Sequence, residues 1–181
     1  MKFVQRALAL DKSLASAHSL LGWLYTLLRK HDDGIAQCEQ AVSLEPNSAD
    51  AHFYLSLALR LTGRPKEAIT VCKEAIRLNP IPSSHYYQSL TNSYSLTRQY
   101  EEAIKAGKKA IHVEPDNLLA NAHLAAAYSL NRQEEEALVE AKEVLRISPK
   151  FSVDHWARTM PYKSEADRDL VINALRKAGL K

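Results

Sequence analysis

Four prolines recur at an almost constant interval: Pro46, Pro80, Pro115 and Pro149, spaced by 34, 35 and 34 residues. An interval of roughly 20–50 residues that repeats is the mark of stacked supersecondary units, none of which can bury its apolar face alone. Other residues keep the same register. Counting position 1 from Ala15, Ala49, Ser84 and Leu118, position 7 holds Leu21, Leu55, Leu90 and Leu124. Position 8 is small or modest (Gly22, Ser56, Thr91, Ala125), and position 11 is large (Tyr25, Leu59, Tyr94, Tyr128). Position 20 is Gly34, Ala68, Ala103 and Ala137, and position 27 is Ala41, Ala75, Ala110 and Val144.

Each period reads as two helices. Leu21, Leu24, Tyr25 and Leu28 follow helical spacing in a first half, and Ile69, Cys72, Ala75 and Ile76 form a stripe in a second. Breaks are expected at residues 31–33, 62–65, 97–99 and 131–133. Acids open the second helices (Glu101, Glu102; Glu134 to Glu136) and bases lie nearer their ends (Lys108, Lys109; Arg146), which suits the helix dipole. Proline then stops each unit. Small residues at positions 8, 20 and 27 are expected where two helices cross closely, with positions 7 and 11 filling the space beside the crossing.

These positions together resemble the tetratricopeptide repeat. The resemblance implies an all-α solenoid, a right-handed superhelix of helix-turn-helix units with about eleven helices. A single domain over residues 1–181 is expected to comprise a half repeat (1–14), four full repeats (15–48, 49–83, 84–117, 118–151) and a final helix pair with a capping helix (152–181). Position 24 departs from the family, with Cys38, Cys72, Gly107 and Ala141 where a large residue is usual, so tighter packing is expected there. The extra residue within 79–84, which contains Pro80 and Pro82, predicts a longer turn and a bend.

The ends differ. Residues 1–14 read as a second helix lacking its partner, with Phe3, Val4, Ala7 and Leu8 on an uncovered apolar side that invites self-association into a homo-oligomer. Its beginning inside a half unit suggests a piece of a longer protein. At the other end, Ser164 to Asp167 is a capping-box-like start and Gly179 a natural stop. Leu170, Val171, Ala174, Leu175 and Ala178 are expected to cover the last repeat, with Arg168, Asp169, Arg176 and Lys177 facing water. The run from His155 through Trp156, Tyr162, Ala166, Asp167 and Leu175 to Gly179, with the Pro80–Pro82 turn, resembles bacterial multidomain regulators. In these, tetratricopeptide repeats follow a class III adenylate or guanylate cyclase domain. That resemblance implies a regulatory C-terminal module whose catalysis lies upstream.

Composition narrows the function classes. Lys plus Arg number 24 against 21 Asp plus Glu, a net charge of +3. This is too small an excess to imply nucleic acid as partner. The most apolar stretch, residues 19–28, is half the roughly 20 residues a membrane span needs. Two cysteines make no disulfide framework, so a cytoplasmic, reducing setting is the default. Cys38 and Cys72, and likewise His18 and His52, share register positions on successive units. Stacked helices hold such pairs about 10 Å apart, beyond disulfide or metal-ligand reach. No nucleophile elbow, phosphate loop or Cys-x-x-Cys occurs, and no catalytic, cofactor or metal site is assigned.

What remains is binding. In the tetratricopeptide family the first helices line a concave groove through positions 2, 5, 9 and 12, with position 6 beside them. The resemblance makes Trp23, Phe53, Tyr54, Arg60, Gln88, Asn92 and His123 the candidates for holding a protein or peptide segment. Replacing Asn92 and Arg60 by Ala is then expected to weaken partner binding without changing the melting. Ser19, Trp23, Tyr54, His85 and Ser89 stand where chaperone-binding members carry a Lys and Asn carboxylate clamp, so that specialisation is not expected. A basic ladder on the second helices (Lys73, Lys108, Lys142; Arg77, His112, Arg146) reads as a solvated face.

Overall fold

A computed structural model describes residues 1–181 as eleven helices and no strand. The helices are α1 (Lys2–Leu10), α2 (Ala15–Leu27), α3 (His31–Leu44), α4 (Ala49–Leu61), α5 (Pro65–Leu78), α6 (Ser84–Leu96), α7 (Tyr100–Val113), α8 (Leu118–Leu130), α9 (Glu134–Ile147), α10 (Val153–Thr159) and α11 (Glu165–Lys177). The architecture is the α-solenoid class of helical hairpins. No helix is long and apolar enough to cross a membrane.

The chain forms two compact units, parted within the double-proline turn. Unit 1 is Met1–Ile81 with Pro161–Lys163, and unit 2 is Pro82–Met160 with Ser164–Lys181.

Every first helix of a full repeat ends the same way. Arg29, Gly63, Arg98 and Arg132, all at position 15, have φ between 61° and 86°. The residue after each donates its N–H back to the position-11 carbonyl, as Lys30 does to Tyr25 and Gln133 to Tyr128. This is the Schellman closure, which satisfies a carbonyl the helix end would orphan. Gly179 closes α11 likewise, with Leu180 N–H on the Leu175 carbonyl. The second helices end at a non-helical residue before proline: Glu45, and the extended Asn79, Glu114 and Ser148. One expected break moves. Residues 31–33 are already the first turn of α3, because Arg29 takes the left-handed turn and Asp32 and Asp33 favour a helix N-terminus.

In unit 1, α2 packs on α3 and α4, and α4 on α5. The α2–α3 crossing is so close that a β-carbon on Gly22 would lie 2.7 Å from the Gly34 carbonyl oxygen. Cys38, Ala58 and Ala68, all fully buried, centre the core with Ile35, Leu55 and Leu59. The small residues at position 24 thus sit at the tightest contacts; at Gly107, in unit 2, a β-carbon would lie 2.8 Å from Leu124.

In unit 2, α6 packs on α7 and α8, and α8 on α7, α9 and α11. Every residue from 120 to 129 of α8 is buried. A helix apolar on all sides can be accommodated only when surrounded, and α11 is what closes its remaining side. Val171, Ala174, Leu175 and Ala178 are buried as the tail pattern requires, while Asp169, Arg176 and Lys177 are exposed. Leu170 and Arg168 are half-buried. Asp154 pairs with Arg176 at 2.7 Å and Glu134 with Lys177 at 3.3 Å.

Candidate binding surfaces

The candidate residues separate into a half-open set and a covered set. In unit 1, Trp23 on α2 and Phe53 and Tyr54 on α4 are half-buried. The Phe53 and Tyr54 rings lie 5.9 Å apart and tilted by 52°. Tyr54 leans on the Ile35–Cys38 core, which fixes α4's rotation and leaves Phe53 in register with Leu57 and Arg60 on one stripe.

Arg60 itself is only 6% exposed. Its Nη1–H donates to the Tyr162 hydroxyl at 3.4 Å, while Nε has no hydrogen-bond partner. Around it, Arg29 Nη1–H donates to the Tyr162 carbonyl at 3.3 Å and the Lys163 N–H donates to the Leu61 carbonyl at 2.8 Å. The Lys163 ammonium pairs with exposed Asp32 at 3.1 Å. His31 is buried beside this cluster with Nδ1 unbonded. Burial, then the charges of Lys163 and Arg29, hold its pKa below the ordinary imidazole value, with Asp32 opposing.

In unit 2, Gln88 is half-buried on α6. Asn92 and His123, expected on an open inner surface, are 2% and 5% exposed. The reason is local: α11 lies on α8 and α6, and Trp156 of α10 meets the His123 ring edge-on at 6.1 Å. Asn92 Nδ2–H donates to His123 Nε2 at 3.0 Å. Ser89 and Ser129 carry buried hydroxyls without hydrogen-bond partners in the same unit. Sequence reasoning placed Trp156 on the tail helix but gave neither it nor Tyr162 a role in covering these residues. Register alone cannot show where a tail folds back, although Pro161 marked where α10 had to turn.

The outer ladder is largely neutralised. Arg77 pairs with Glu74 at 2.6 Å, and Arg146 with Glu143 at 2.6 Å and Asp116 at 2.5 Å. Lys108 lies over the Tyr128 ring, 5.8 Å from its centroid. Cys38 and Cys72 are buried and form no disulfide. Burial pushes the Cys38 thiol up to about 12.

Residues 20–80 match a family model described as tetratricopeptide repeat. Among solved structures, the chain is 25% identical to MamA over 81% of this chain and 85% of that one, with a TM-score of 0.67. It is 19% identical to PilW, a widely conserved type IV pilus biogenesis factor, over 97% and 79%, with a TM-score of 0.76. It is 17% identical to YrrB, described as a TPR protein with an unusual peptide-binding site, over 97% and 90%, with a TM-score of 0.65. No curated protein matches. The tetratricopeptide match thus covers residues 20–80, and the likenesses to solved structures support the same helical-hairpin fold along the chain, a fold suited to a protein-interaction scaffold.

Proposed function

We propose that the chain is a non-catalytic scaffold that receives a partner's peptide segment on the first-helix face of unit 1. The observation that carries this reading is the half-buried aromatic set Trp23, Phe53 and Tyr54 on consecutive first helices. Aromatic side chains held rigid by a core offer large contact area at little entropic cost. Trp23 and Phe53 anchor the segment, and Arg60 lies two turns along α4 from Phe53. In unit 2 the chain's own α11 and Trp156 lie over Asn92 and His123, so this face receives a partner only when that helix leaves.

The test is quantitative capture with wild type and a Trp23→Ala/Phe53→Ala variant, with circular dichroism as the folding control. Partners enriched by wild type and lost by the helical variant support the reading. Equal enrichment refutes it.

A second reading, self-association, is favoured by α1, where Phe3 is 88% and Leu10 85% exposed. Light scattering of this chain with Phe3→Glu and Val4→Glu tests it. Loss of a concentration-dependent mass supports it, and an unchanged mass removes it.

A further inference from the structure

We propose that Arg60 is the receptor for an acidic side chain of an incoming peptide, and that Pro161–Lys163 is a displaceable stand-in for that peptide in unit 1. The inference rests on the docking reading above and adds the chemistry of the ligand.

Arg60 presents a permanent positive charge in a place almost closed to water. Such a charge is stable only when paired and fully hydrogen-bonded. Its one partner here is a neutral phenol at 3.4 Å, long for a hydrogen bond, and its Nε–H is unused. No carboxylate stands within ion-pair distance of it; the acid of this neighbourhood, Asp32, is taken by Lys163. The carbonyl end of α4 supplies a fraction of a charge, not a counter-ion. Arg29 stands against the same segment, with its Nη1–H on the Tyr162 carbonyl, and brings a second positive charge rather than a counter-ion. A carboxylate in place of the phenol would accept from Nη1, and end-on from Nη2 beside it, in charge-assisted hydrogen bonds stronger than a neutral hydroxyl makes.

The segment now filling the site shows how a peptide would lie. Its backbone is held on both sides, Lys163 N–H on the Leu61 carbonyl and the Tyr162 carbonyl under Arg29. The Tyr162 side chain is directed at Arg60. An internal residue therefore occupies the position facing the guanidinium, which assigns the ligand as a side-chain carboxylate in an extended segment and not as a chain terminus. Glutamate, the longer acid, fits the reach that Tyr162 spans.

The probe is an acetylated, amidated nonapeptide copying residues 158–166 with Glu at the Tyr162 position, beside its Gln twin. Both are titrated by fluorescence polarisation against the full chain carrying Tyr162→Ala, which vacates the site. The Glu peptide is expected to bind about tenfold tighter than the Gln peptide. It is expected to bind more weakly to wild type, where Tyr162 competes. The Glu/Gln ratio should fall to about one when Arg60→Gln is added, and partly with Arg60→Lys, which keeps the charge and loses the fork. Circular dichroism checks folding, and the Lys variant carries the test should the Gln variant not fold. A ratio near one in the Tyr162→Ala chain, a ratio that survives both Arg60 substitutions, or binding of neither peptide overturns the proposal. Equal binding of both peptides leaves unit-1 docking standing and removes only the acidic recognition. A Gln peptide with a free C-terminus binding as tightly as the Glu peptide would reassign the site to a terminal carboxylate and overturn the side-chain assignment.

Discussion

Asn92 and His123, 31 residues apart on α6 and α8, are joined by a 3.0 Å hydrogen bond under the edge of Trp156. Both belong to the first-helix face of unit 2, yet the pair is sealed from water. Truncating Asn92 therefore affects folding as well as binding. Asn92→Ala leaves His123 Nε2 without this donor in a buried place, and should lower stability by about 1–3 kcal/mol. Chemical denaturation of wild type and variant checks it. An unchanged midpoint would show that α11 does not cover this face in solution.

Gly22 faces Gly34 across the α2–α3 crossing with no room for a methyl group. A β-carbon on Gly22 would press on the Cys38 sulfur and stand 2.7 Å from the Gly34 carbonyl oxygen, a backbone atom that cannot swing aside. Gly22→Ala should destabilise by roughly 1–3 kcal/mol, despite alanine's higher helix propensity. The equivalent Ser56→Ala, on α4, introduces no larger atom and should cost less. Thermal melting of the two variants distinguishes a steric crossing from a propensity effect: equal shifts would contradict the crossing geometry.

The repeat frame was legible because its determinants are local and periodic. Proline, the small residue at the crossing and the large one beside it all act within one hairpin, so spacing alone carries them. The left-handed turn at position 15 was less visible. Only Gly63 announces it; Arg29, Arg98 and Arg132 take the same conformation because the Schellman hydrogen bonds and the next helix leave no alternative. The binding face was half legible. Register placed Trp23, Phe53 and Arg60 on first helices, but which of these stay open depends on where Trp156, Tyr162 and α11 fold back. Those contacts span up to 133 residues, as between Arg29 and Tyr162, and have no period. Asn92 and Arg60 were accordingly expected to be replaceable without effect on melting, and their burial removes the physical ground for that expectation.

Arg132 makes the strain at position 15 measurable. It is exposed, with φ of 61°, and no side-chain contact recommends it over glycine. The left-handed conformation costs an L-residue roughly 1–2 kcal/mol, and glycine loses about 0.5–1 kcal/mol of that advantage through its freer unfolded chain. Arg132→Gly should thus stabilise unit 2 by about 0.5–1 kcal/mol. The opposite substitution, Gly63→Ala, should destabilise unit 1 by a similar amount. Denaturation midpoints moving in these two directions would confirm that backbone conformation, not side-chain contact, governs the position.

His31 gives unit 1 a pH dependence of definite sign. Its folded-state pKa lies below the unfolded value of 6.5, because of burial and then the charges of Lys163 and Arg29. Between those two values the unfolded chain binds more protons than the folded one, so stability rises with pH. The stabilisation is complete above 6.5 and is lost as pH falls through the folded value. Melting temperatures followed from about pH 7.5 down to about pH 5 should decline, and His31→Gln should flatten that limb. Lys163→Met, which removes a neighbouring positive charge, should raise the folded-state pKa toward 6.5, so that the decline becomes smaller and ends at a higher pH. Identical pH profiles for wild type and His31→Gln would show that carboxylates alone govern the acid limb and that His31 does not contribute to it.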